Sequence, residues 1–149
     1  MSEVKVSEKY LHLVKPALDT PFHISRDWWQ RADRDLRVEL RSHLCAEHRA
    51  IYANDFDTET IDWIDPRTAE VTRVDGLQHV IREHCSRQPE YLSDRVSVVD
   101  AVFRVFLANG NTPLSARQLA VIVGRPAETI LRTLSGRVSY KGLRPAVEE

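Results

Sequence analysis

Apolar positions recur with a helical period along much of the chain, most clearly in its last third. Val99, Val102, Phe103, Phe106 and Leu107 fall at i, i+3, i+4, i+7 and i+8, the stripe of one amphipathic helix. Asn109-Gly110-Asn111 marks its end. Ala116, Leu119, Ala120 and Val123 repeat the spacing behind Ser115, which forms a capping box with Gln118 while Leu114 and Leu119 stand at staple spacing. Gly124 closes this second helix. Pro126 is placed as the first residue of a third, whose buried side is Ala127, Ile130, Leu131 and Leu134.

The first part of the chain is read the same way. Residues 1–24 show no clear period. Tyr10-Leu11-His12-Leu13-Val14 is apolar enough for a short strand or a helical turn, and Pro16 and Pro21 break any regular element beyond it. Ser25 has the form of an N-cap, with Asp27 in the first turn and Ile24 and Trp29 at staple spacing. One long helix is expected from about Arg26 to Ala53, with Trp29, Ala32, Leu36, Leu40 and Leu44 as its stripe. Arg31, Arg34, Arg37 and Arg41, interspersed with acids, form a solvated, ion-paired face. Thr60–Asp65 and Glu70–Val74 read as strands around the turn cluster Asp65-Pro66-Arg67-Thr68-Ala69, a hairpin over about residues 60–74. Asp75 with Gln78 starts a further helix carrying Leu77, Val80, Ile81 and His84, which Gln88-Pro89-Glu90 ends. The fold class is therefore mainly α with a small β-hairpin. Residues 1–90 form a helical module, and residues 91–149 a three-helix domain.

The layout of the last third, about residues 98–145, resembles the helix-turn-helix and more narrowly the winged-helix DNA-binding superfamily. The matching residues are Leu119-Ala120, Gly124 at the turn, and Thr129-Ile130-Leu131-Arg132-Thr133-Leu134 in the recognition-helix position. The resemblance covers about a third of the chain and implies a small DNA-binding regulator that reads DNA through the helix 126–135. With Ala127, Ile130, Leu131 and Leu134 inward, Arg125, Thr129, Arg132 and Thr133 face outward. Arginine binds guanine edges bidentately, and threonine meets phosphate or a thymine methyl. The segment Gly136–Pro145 would form a short wing laying Arg137, Lys141 and Arg144 along phosphates. Paired half-sites are common for such units, which implies a homodimer. Glu128 on the first turn opposes phosphate, although it suits the helix dipole. Winged helices also serve as protein-contact modules. The alternative is therefore an adaptor that binds protein through this domain and a Trp-rich surface, without nucleic acid.

Charge sharpens this reading. The whole chain of 149 residues carries a net charge of −1, which argues against a general nucleic-acid coat. Residues 112–149 nonetheless hold six basic and three acidic residues, so the positive excess coincides with the helix-turn-helix candidate. Phosphate binding needs a local positive field rather than a positive protein. At 42% apolar and 29% charged, the composition is that of a soluble globular protein. No apolar run approaches the roughly 18 residues of a membrane helix, and the start Met1-Ser2-Glu3-Val4-Lys5 lacks the apolar core of a signal peptide. A cytoplasmic location is expected, with Cys45 and Cys85 as reduced thiols.

Candidate chemistry is sparse. Cys45 and His48 share a helix face, and His84-Cys85 could offer a second ligand pair. Adjacent residues on a helix point about 100° apart, however, and there is no CxxC. No metal site and no cofactor are expected, and both cysteines read as structural. Asp55-Phe56-Asp57-Thr58-Glu59 begins like a calcium loop, but Thr60 stands where glycine is needed and Pro66 where glutamate is needed. With no phosphate-binding glycine loop, no GxSxG and no HExxH, no enzyme is expected. Trp28 and Trp29 are adjacent and cannot both face one core. One packs inside, and the other is covered by residues 1–24 or anchors a protein partner.

Overall fold

The structure, a computed structural model, describes residues 15–32, 34–52, 60–64 and 66–146. The stretch Tyr10–Val14 and the acidic run Asp55–Glu59 lie outside the described residues. In chain order the elements are β1 (Pro21–Ile24), α1 (Arg26–Arg31), α2 (Leu36–Ser42), α3 (Ala46–Ile51), β2 (Thr60–Ile64), β3 (Val71–Asp75) and α4 (Gly76–Glu83). Beyond them come a 3-10 turn (Cys85–Arg87), α5 (Val98–Ala108), β4 (Leu114–Ser115), α6 (Ala116–Val123), α7 (Ala127–Leu134) and β5 (Leu143–Pro145). The molecule is mainly helical with a small hairpin, as the pattern implied, and carries besides it a three-stranded antiparallel sheet that the pattern did not show.

The expected helix from Arg26 to Ala53 is instead three short helices. Ala32 closes α1, and Asp35, in extended backbone, starts α2 by accepting the Arg37 amide at 2.9 Å. A second break ends at Cys45, also extended, before α3. Aspartate competes with the helix for backbone amides, and here that local bond redirects the chain. Trp29, Leu40 and Leu44 of the expected stripe are still buried, because each break turns the next helix around the same core.

The three helices of the last third form as the caps dictate. Ser97 caps α5. Ser115 and Gln118 make both bonds of the capping box on α6, and Gly124 ends α6 in the left-handed conformation at φ 70°. Pro126 stands at the N-cap of α7, one position earlier than expected. α5, α6 and α7 pack pairwise against one another. β2 and β3 form the expected hairpin, with Thr60 opposite Asp75 and Ile64 opposite Val71.

β1 lies between β4 and β5 in a three-stranded antiparallel sheet, with Phe22 opposite both Leu114 and Pro145. The segment expected as a wing is therefore a series of turns that returns β5 to the N-terminal part of the chain. Asn111 fixes the arrangement: its side chain accepts from the Ile24 amide at 2.8 Å and donates to the Ile24 carbonyl at 2.9 Å. Leu40, Leu77 and Ile81 join Phe103, Phe106, Leu119 and Ile130 in one hydrophobic cluster, so residues on both sides of the boundary expected near residue 90 share a core.

Trp29 is buried in this core, and its Nε1 donates to the Lys141 carbonyl at 3.0 Å. Trp28 is half-buried, edge-on to Trp29, with the Arg34 guanidinium over its ring. Both indoles lie against Gly142. Part of the cover over Trp28 thus comes from the C-terminal turn. Among the described residues no helix is long and apolar enough to cross a membrane.

Candidate nucleic-acid interface

α7 buries Ile130 and Leu134 and exposes Glu128 and Arg132 on its outer side. Thr129 and Thr133 are half-buried, and the Thr133 hydroxyl donates to the Thr129 carbonyl at 2.9 Å. Arg132 and Arg137 line a shallow hollow of about 490 Å³ with Val99, Thr133, Val138 and Tyr140. Both arginines are exposed and have no carboxylate partner among the described residues.

The other basic residues expected at the interface have different surroundings. The Arg125 guanidinium donates to the carbonyls of Asp94 at 3.2 Å and Val96 at 2.7 Å, tying the turn before α7 to the loop before α5. Arg144 sits half-buried on β5 opposite His23 and is engaged there. The Lys141 ammonium lies 2.6 Å from Asp100 Oδ1 and 2.8 Å from Glu39 Oε2. A lysine between two carboxylates has no free charge to offer phosphate.

Lys141 belongs to a hub that the sequence pattern does not reveal. Arg104 Nε donates to His43 Nδ1 at 2.9 Å, so the proton of this buried imidazole sits on Nε2 and is donated to Glu39 at 2.7 Å. His43 also stacks on Phe103. The His43 hydrogen bond is the largest influence on Glu39; with help from Lys141 it outweighs burial and holds the carboxyl at about 2. For Lys141, burial works against the charge, but the bonds to Asp100 and Glu39 win and its pKa is raised. Alternating arginines and acids suggest only exposed pairs. Partners separated by 41 to 102 positions leave no periodic signal.

A second cluster gathers Cys45, His48, His84 and Cys85. α4 ends at Glu83 and His84 leaves the helical conformation at φ −126°, ψ −60°, so that Cys85 groups with Cys45 and His48, and His84 with His48 and Glu47. Cys45 Sγ lies 3.2 Å from His48 Nδ1. The candidate ligand atoms of Cys45, His48 and Cys85 all lie within 4.8 Å of one another. The rings of His48 and His84 meet edge-on with centroids 4.4 Å apart.

Comparisons with protein-family models, with curated proteins and with solved structures each find no match.

Proposed function

We propose that the chain is a small DNA-binding regulator that reads a major groove through α7, with Arg132 at a base edge, Thr129 beside it and Arg137 on a phosphate. The observation that supports this reading is the pairing of an outward helix after a glycine turn with two arginines that have no carboxylate partner among the described residues. This is narrower than the sequence pattern suggests, since Lys141 is held by carboxylates and Arg125 by carbonyls. Binding of selected and random duplexes by the wild type and by Arg132→Ala tests it. Loss of a bidentate base contact costs about 1–3 kcal/mol at the preferred sequence and little elsewhere. An equal loss on all duplexes contradicts a base contact by Arg132.

One observation favours the adaptor reading. Val121 and Ile122 on α6 are 86% and 47% exposed, and Val138 and Tyr140 add apolar surface beside α7. A wild-type protein that binds no duplex even at low salt would leave this as the better account.

A further inference from the structure

We propose that Cys45, His48, Cys85 and His84 form a zinc site that fastens the start of α3 to the end of α4. Three things point there. The first is the donor set: two thiolates and two imidazoles are the ligands that select zinc, and two thiolates balance its charge. The second is spacing. In a tetrahedral site with Zn–S of about 2.3 Å and Zn–N of about 2.0 Å, neighbouring donors lie roughly 3.3–3.8 Å apart. Cys45 Sγ and His48 Nδ1 are 3.2 Å apart, and Cys85 Sγ completes a triangle with no side above 4.8 Å. Small side-chain rotations convert this triangle into one face of a tetrahedron.

The third is backbone placement. Cys45 is the N-cap of α3 but makes no capping hydrogen bond with its side chain, so the sulfur is turned toward the cluster instead. His48 stands one turn later on the same face. His84 and Cys85 stand where α4 breaks into the 3-10 turn, and the break turns both toward α3. His84 Nε2 is 3.5 Å from Glu47, whose carboxylate is suited to orient the ring as a second partner. The two pairs bracket the whole excursion through β2 and β3, so the metal would close the base of the hairpin. A cavity of about 370 Å³ lined by Cys45, Glu47 and Cys85 gives an ion its way in. The Glu39, His43 and Asp100 group is no rival, because the Lys141 ammonium already sits between its carboxylates.

The test uses the full chain. Protein expressed with added zinc and passed through a column in a weak chelator should retain about one zinc per chain by elemental analysis. Replacement by cobalt should give the intense visible bands of a tetrahedral ion together with thiolate-to-cobalt charge transfer. Cys45→Ser should abolish stoichiometric binding. His84→Ala should weaken zinc, measured by chelator competition, by about tenfold or more. If Cys45→Ser fails to fold, the cobalt spectrum of the wild type decides alone. A folded wild type that retains no zinc and gives only an octahedral cobalt spectrum overturns the site. Undiminished zinc in the Cys45→Ser, His48→Ala double variant overturns the ligand set, and undiminished affinity in His84→Ala overturns the fourth ligand.

Discussion

At Gly142 two requirements meet in one residue. Its φ of +73° is strained for any side chain, and an added Cβ would lie 2.8 Å from Trp29 Nε1 and 3.0 Å from Trp28 Cε3. Gly142→Ala should therefore lose about 1–2 kcal/mol through the backbone and about 1–3 kcal/mol through displaced indoles. Gly124 has φ +70° but nothing within 4 Å of the built Cβ, so Gly124→Ala should show the backbone loss alone. Denaturant unfolding of both variants checks the difference, and equal losses would contradict the tight approach of the two tryptophans to the turn. Glu39 gives the second residue-scale expectation. Its pKa is held at about 2 in the folded protein against 4.5 as the ordinary value. A depressed carboxyl contributes stability that is present above pH 4.5 and lost as pH falls from there toward 2. Solvent screening keeps the effect on the order of 1 kcal/mol. Glu39→Gln should remove that part of the acid sensitivity, as unfolding curves across this range would show. An unchanged pH profile would contradict the role of the hub.

At the scale of elements, legibility in the sequence depends on where the signals lie. α5, α6, α7 and the β2–β3 hairpin are legible because each has an unbroken pattern with its stop or start signals within a few residues: Asn109-Gly110-Asn111, Ser115 with Gln118, Gly124, and the turn before Val71. The run from Arg26 to Ile51 reads as one helix because its apolar stripe continues through two breaks. Only Asp35 marks the first break, and nothing in the spacing marks the second. β1 is invisible in the pattern, since its partners β4 and β5 lie about ninety or more positions away and it is only four residues long. Of the candidate interface, the outward position of Arg132 is readable from the period of α7, whereas the inward turn of Lys141 depends on carboxylates on α2 and α5. Asn111 holds β1 with two hydrogen bonds and sits at φ +63°. Asn111→Gly keeps the backbone permissible and removes both bonds, so it should cost about 1–3 kcal/mol in thermal or chemical unfolding. A change within error would mean that the sheet alone positions the strand.

Over the whole molecule, the hub, the sheet and the tryptophans all join the first half of the chain to the approach to β5. Glu39 of α2 and Asp100 of α5 hold Lys141, β1 pairs with β5, and Trp29 bonds the Lys141 carbonyl. The surface beside α7 is thus set by residues from across the chain, and few of the basic residues near it are available. That leaves a sharp expectation for binding. The salt dependence of duplex affinity reports how many cations meet phosphate, at a slope of about 0.9 per phosphate contacted. The most direct measurement is the slope of log affinity against log salt for the wild type, Arg137→Ala and Lys141→Met. Arg137→Ala should lower the slope by about one, while folded Lys141→Met should leave it unchanged, because Lys141 is held by Glu39 and Asp100. A wild type that binds no duplex at low salt, or a slope that falls in Lys141→Met and not in Arg137→Ala, would contradict the account.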